Sequence, residues 1–237
     1  MIGIIIPVYN EAANIENNLN AISLGIKNSA HQYSVNIVYD FDEDSTLPVI
    51  ERIRSAYSFP IHLIKNNARG VCAAIKTGLN KTQGDFVLVT MADMSDDYSV
   101  LDAMVNKAVE DYDVVCGSRY MKGGKTYGGP PVKQNLSRLA GLSLHFLTRI
   151  PTHDVTNSYK LYRKSIFNTI TIESQGGFEL GMEITIKAFI NGLKIAEVPC
   201  GWWDRTAGQS RFQLLKWLPK YLHWYFLLLR HTLRWPW

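Results

Sequence analysis

The sequence predicts an α/β protein built on a mainly parallel sheet flanked by helices. Three observations carry this reading. Short β-branched runs alternate with helical patterns along the chain. The runs lack polar alternation, as do strands buried on both faces. The intervals between them hold helices of ordinary length, which marks βαβ units. Right-handed crossovers in such units bring strand C-termini to one edge, where open α/β sheets bind ligands.

The first strand falls at Ile2–Ile6. It is apolar, but no basic stretch precedes it and Pro7 ends it, so it reads as a strand rather than a signal peptide. Further strands are expected at Val35–Tyr39, Ile61–Ile64, Phe86–Thr90 and Val114–Cys116, with helices over 11–28, 45–57, 69–82 and 97–111. Residues 121–132, MKGGKTYGGPPV, hold four glycines and two prolines and are expected to form a loop without regular structure. A helix over 133–149, a strand near 157–162, a helix near 177–191 and a strand near 193–198 complete the pattern.

A chain of 237 residues with 46% hydrophobic and 19% charged residues is long and apolar enough to bury a full core. Its net charge of +4 is too small to indicate a nucleic-acid partner. The charge is unevenly placed, however. No Asp or Glu follows Asp204, and residues 205–237 carry six basic side chains, which leaves −2 for the rest. Cys72, Cys116 and Cys200 are widely spaced and form no metal or disulfide pattern, as expected of core residues in a reducing compartment.

The loops after the strands carry the chemistry. Pro7–Glu11 follows the first strand, Asp40–Asp44 the second, Met91–Asp97 the fourth and Gly117–Tyr120 the fifth. Acids at a strand end are the arrangement that holds Mg2+ or Mn2+ against a diphosphate. Asp93 is the first candidate, with Asp96 or Ser95 in support. Asp96 reads equally as a cap of the helix that follows, and Asp97 reads as a cap or first-turn acid rather than as a ligand. Asp40 is placed to accept hydrogen bonds from a base or ribose. Neither a Walker loop nor a GxGxxG pattern is present, since Ile75 stands where a phosphate loop needs glycine.

Seven blocks occur in one order: IPVYNE at 6–11, DFDEDST at 40–46, ADMSDD at 92–97, DVVCGSRY at 113–120, SRLAG at 137–141, DVTNSYKLYRK at 154–164 and DRTAGQSR at 204–211. Together they resemble the inverting family-2 glycosyltransferases of the GT-A fold, above all the polyprenyl-phosphate branch that includes dolichol-phosphate mannose synthases. The resemblance covers residues 1–211. It implies transfer of a hexose from a nucleoside-diphosphate sugar, of the GDP-mannose or UDP-glucose type, to a polyprenyl phosphate. It further implies that Pro7, Tyr9, Glu11, Asp40 and Arg211 bind the nucleotide. Arg119, Ser137 and Arg138 would hold the acceptor phosphate, and Asp93, Arg119 and Arg205 would act in catalysis. Asp93 would be the second Asp of the family's DxD metal motif. Met91 stands where the first belongs, and a thioether is a poor ligand for a hard cation, so three outcomes stay open: weaker metal binding, completion of the site by Asp96, or a mechanism without metal.

Two other readings remain open on the residues: a hydroxyl acceptor, and a silent nucleotide-sugar binding protein. A hydroxyl acceptor needs a base, for which Asp154, Glu179 and Glu183 are the candidates. Residues 212–237 form a basic, tryptophan-rich tail. It is expected to lie in a membrane interface, on its cytoplasmic face; the alternative is a helix packed on the catalytic body or in an oligomer, and partial packing on the body is compatible with membrane contact.

Overall fold

The computed structural model describes residues 1–205 and 214–233. The elements are β1 (Ile2–Pro7), α1 (Ile15–Gly25), β2 (Tyr33–Tyr39), α2 (Thr46–Ile53), β3 (Ile61–Lys65), α3 (Val71–Lys81), β4 (Phe86–Val89) and α4 (Leu101–Val109). They continue with β5 (Val114–Ser118), β6 (Lys125–Tyr127), α5 (Pro131–Thr148), β7 (Lys160–Arg163), α6 (Leu180–Ile190), β8 (Ile195–Pro199), β9 (Gly201–Trp203) and α7 (Leu214–Leu233).

Seven strands form one sheet in the order β3-β2-β1-β4-β7-β5-β8. Successive residues of each strand point to opposite faces, so the sheet has two cores. Ile5, Val38, Val87, Val89 and Tyr162 meet α3, α5, α6 and α7 on one side, whereas Ile4, Ile6, Ile37, Leu88 and Leu161 meet α1, α2 and α4 on the other. This double burial is why the strands read as unbroken apolar runs.

Strand β7 departs from the parallel expectation. It runs antiparallel to both β4 and β5, with Lys160 opposite Val89 and Cys116. The chain leaves β5 at the ligand edge, passes through β6 and α5, and re-enters the sheet from that same edge. Residues 154–159 therefore lie at the site. Gly141 makes this possible: a Cβ there would come within 2.2 Å of the His153 carbonyl oxygen, so only glycine lets α5 approach the 153–154 loop.

The glycine-rich segment is also more ordered than expected. Residues 125–127 form β6, which pairs in parallel with β9. The flanking Gly123 and Gly128 adopt positive φ, which frees the chain to turn into and out of so short a strand.

In the tail, α7 lies against α5 and α6. Trp224 and Leu228 are buried in the core, and Lys187 of α6 sits over the Trp224 ring at 5.0 Å. Leu222, Phe226 and Leu233 remain exposed. Among the described residues, no helix is long and apolar enough to cross a membrane.

Candidate active site

Two clusters of functional side chains lie at the C-terminal edge of the parallel strands. The first is acidic. After β1, the chain is locked by Asp44, whose carboxylate accepts both the Asn10 and the Thr46 backbone N–H, while Glu11 N–H donates to Thr46 Oγ1. Asp44 and Thr46 were not among the expected site residues, although their place in the DFDEDST block was a signal. Pro7 ends β1 opposite Val38, and Tyr9 meets Phe41 edge-on at 5.1 Å. Asp40 accepts from Asn66 Nδ2 at 2.7 Å and from Gly70 N–H at 2.8 Å, which fastens the β3–α3 loop beside the same edge.

The turn after β4 separates its four acidic and hydroxyl side chains by role. Asp93 accepts from Ser95 N–H and keeps its other oxygen toward the edge, where Arg205 Nη2 lies 3.4 Å away. The same nitrogen lies 3.3 Å from Glu11 Oε1. Asp96 is turned inward, accepting from Thr90 Oγ1 at 2.7 Å and Met91 N–H at 3.1 Å. Asp97 caps Ser99 N–H and accepts from Gly201 N–H. Of the expected Asp93–Asp96 ligand pair, Asp96 is turned beneath the turn, and Glu11 is the carboxylate that converges with Asp93. Among the described residues no three His, Cys, Asp or Glu side chains gather into a metal site. The shared guanidinium nevertheless shows that Glu11 and Asp93 can surround one positive group. A cation there would draw on these two and on oxygens brought by a ligand.

Burial pushes the Asp96 carboxyl up to about 7 from an ordinary 3.8, against the lowering effect of the Thr90 hydrogen bond. A raised value means that the neutral form favours folding. That contribution is complete below pH about 3.8 and is lost as the pH rises through about 7. Asp96→Asn, neutral throughout, is expected to gain melting temperature relative to the parent as pH rises from 4 to 8. The difference amounts to about 4 kcal/mol at most. Thermal denaturation across that range checks it.

The second cluster is basic. Arg119, which follows β5, makes a two-pronged pair with Asp154: Nε to Oδ2 at 2.6 Å and Nη2 to Oδ1 at 2.9 Å. Its Nη2 also reaches Ser137 Oγ and Thr156 Oγ1. The Asp154 side chain is fully buried and that of Arg119 is 12% exposed. Burial raises the Asp154 carboxyl, but the Arg119 charge and hydrogen bonds outweigh it and hold the group below the usual range. The loop carrying Asp154 is tied in turn by Lys160, a fully buried lysine whose Nζ donates to the Val155 and Asn157 carbonyls. Burial, the largest influence on this ammonium, lowers its pKa.

Arg119 forms the back of a cavity of about 250 Å3, together with Tyr120, Lys125, Gln134, Asn135 and Arg138. Arg119 and Arg138, both expected to hold an acceptor phosphate, thus share one cavity. Ser137 sits behind, bonded to Arg119, Tyr120 and Thr156. Lys125 was missed, because its place on β6 depends on a partner strand far along the chain. Strand β9 joins the two clusters. An isolated bridge connects Trp202 to Asp96, Trp203 N–H donates to Ser95 O, and Asp204 N–H donates to Tyr127 O. Arg211 lies outside the described residues.

The three candidate bases are all engaged structurally. Asp154 is paired with Arg119. Glu179 accepts the Gly176 and Gly177 N–H groups, and Glu183 accepts Glu173 N–H, Ser174 N–H and Lys187 Nζ.

The sheet order, with acids and cations at its strand ends, agrees with a glycosyltransferase of the GT-A fold, the class that comparison with known proteins gives. The chain belongs to glycosyl transferase family 2, which matches residues 3–171. It is 28% identical over 214 residues to the polyprenol monophosphomannose synthase of Mycolicibacterium smegmatis, covering 88% of this chain and 79% of that protein. To the dolichol-phosphate mannosyltransferase of Pyrococcus furiosus it is 26% identical over 234 residues, covering 94% of this chain but only 64% of the relative's length. Among solved structures, glucosyl-3-phosphoglycerate synthase from Mycobacterium tuberculosis, in complex with Mn2+, UDP and glucosyl-3-phosphoglycerate, is similar with a TM-score of 0.67 at 18% identity. That match covers 100% of this chain and 81% of the synthase chain. S. aureus TarS 1–349 gives 0.64 at 18% identity, covering 98% and 70%. These structural likenesses establish the fold.

Proposed function

We propose that this chain moves a hexose from a nucleoside-diphosphate sugar, of the GDP-mannose or UDP-glucose type, to a polyprenyl phosphate, with inversion at the anomeric carbon. The observation that carries the proposal is the cavity in which Arg119, Lys125 and Arg138 converge beside an acidic donor edge. Cations so arranged suit a phosphate monoester. Such an acceptor is already an anion and attacks without a base, in keeping with the structural engagement of Asp154, Glu179 and Glu183. The names of the two relatives support the same acceptor class.

On this reading Tyr9, Glu11, Asp40 and Arg211 serve the nucleotide, with Pro7 shaping the turn beneath it. Asp93 and Glu11 would hold a divalent cation, Mg2+ or Mn2+, which would supply positive charge to a diphosphate leaving group. The chain's own contribution is alignment: the acidic turn fixes the donor, Arg138 and Lys125 draw in the acceptor phosphate, and Arg119 shapes the cavity floor. The transfer takes place at the cytoplasmic face of a membrane. Incubation of the full chain with GDP-mannose or UDP-glucose and undecaprenyl or dolichyl phosphate should yield a lipid-linked sugar, detected by mass spectrometry. Absence of product with every common donor, or transfer to hydroxyl acceptors alone, would overturn the assignment.

The surface of α5 and α7 supports the membrane setting. Val132, Leu136, Leu139 and Phe146 are exposed along one stripe of α5, next to the exposed Leu222, Phe226 and Leu233 of α7. Ser143 and Tyr225 join the two helices by a hydroxyl–hydroxyl hydrogen bond of 3.0 Å. Residues 131–149 contain no acid, and neither does the chain after Asp204. An apolar, acid-free and basic surface fits anionic headgroups, at about 1 kcal/mol for each Lys or Arg near the lipid. Flotation with vesicles should show binding that increases with anionic lipid content. The double variant Leu139→Glu/Phe146→Glu should lose it while keeping the parent's melting temperature.

A further inference from the structure

One contact of the acidic cluster is used neither by the fold nor by the proposed transfer. Arg205 Nη2 is held at once by Glu11 Oε1 at 3.3 Å and Asp93 Oδ2 at 3.4 Å. The side chains are 17%, 17% and 23% exposed, so water screens the three charges only in part. The backbone delivers Arg205 to this place through β9, whose Trp203 N–H is bonded to Ser95 in the acidic turn. The two carboxylates are the ones that the proposed donor site requires, and a positive group already lies between them.

The neighbouring residues offer a bare cation little to displace it. Met91 brings a thioether to this turn, a poor ligand for Mg2+ or Mn2+. Asp96 is engaged by Thr90 and the Met91 N–H, and Asp97 by Ser99 and Gly201. A cation arriving alone must therefore break two ion pairs and compete with a guanidinium for two oxygens. A nucleoside diphosphate changes both sides of that exchange. It supplies further oxygen ligands to the cation, and it gives the released guanidinium a new anionic partner.

We propose that Arg205 is the internal counter-cation of the donor site. It occupies the Glu11–Asp93 pair in the donor-free protein, excludes a divalent cation that arrives alone, and passes to the diphosphate when cation and nucleotide enter together. Arg205 thereby sets an order of binding. The inference rests on the donor assignment above, but its first test does not require a sugar.

The experiment is Mn2+ titration of the full chain, read by the electron paramagnetic resonance signal of free Mn2+, with and without GDP or UDP. Without nucleotide, Arg205→Gln should bind Mn2+ at least about tenfold more tightly than the parent, since two carboxylates lose their compensating charge. Arg205→Lys should restore exclusion, because an ammonium keeps the charge. Adding Glu11→Gln to Arg205→Gln should cancel the gain. With GDP or UDP present, the parent should take up Mn2+. The proposal is overturned if Arg205→Gln binds Mn2+ no better than the parent, or if the parent binds Mn2+ equally well with and without nucleotide while GDP or UDP does bind. If neither nucleotide binds at all, the donor assignment fails, and the Mn2+-only comparison still decides the role of Arg205.

Discussion

Replacing Arg119 with alanine is expected to abolish transfer and to cost about 3–5 kcal/mol of stability, because it strands a fully buried Asp154 carboxylate. The loss has two separable parts. The structural part comes from the unpaired charge. It is shared by Asp154→Ala, which leaves the guanidinium unpaired and frees the 154–157 loop from Arg119 N–H and Nε. The functional part comes from the cavity that Arg119 lines, which on the proposed reading takes the acceptor phosphate. An apolar double replacement, Arg119→Met with Asp154→Leu, separates them. Removing both members of a buried pair is often neutral or stabilising, so the melting temperature should recover while transfer stays absent. Differential scanning calorimetry paired with the lipid-linked sugar assay reads both quantities. Recovery of activity in the double variant would show that Arg119 acts on the fold alone.

Arg138→Ala should show the opposite profile. This side chain is exposed on α5, so the melting temperature should change little. Transfer to polyprenyl phosphate should fall roughly 10- to 100-fold, the effect of removing one charge-assisted hydrogen bond of about 1.5–3 kcal/mol. Most of the change should appear as a higher KM for the acceptor, with donor binding unaltered. Steady-state kinetics with varied polyprenyl phosphate checks this. A hydroxyl acceptor would be insensitive to the same substitution, so one variant tests both the residue and the acceptor class.

The legibility of this protein in its sequence was uneven, and the reasons differ by element. Strands β1, β2, β4 and β5 were readable because each is buried on both faces and so carries no polar alternation. Strand β7 was placed but not its direction, since periodicity is the same for a strand read either way. Strand β6 was missed. It is three residues long, sits among glycines, and is stabilised by a β9 partner 76 residues later. Asp93, Arg119, Arg138 and Arg205, picked out by motif, lie at the C-terminal edge of the parallel strands or line the cavity beside it. The direction of Asp96 was not legible, because a carboxylate three residues along a turn faces the ligand or the core according to what the core offers it. Here Thr90 Oγ1 and the Met91 N–H drew it inward.

The chain's order of residues determines the alternation of strands and helices, the family, and the concentration of acids at strand ends and of basic residues in the tail. These follow from local periodicity, composition and ordered motifs, which need no knowledge of distant neighbours. Only the tertiary structure decides which charges meet. Glu11 and Arg205 are 194 positions apart, and Arg119 and Asp154 are 35 apart. Whether a carboxylate becomes a ligand, a cap or half of a buried ion pair depends on its distance to an opposite charge and on its depth from water. Both are set by the closing of the sheet around the inverted strand β7.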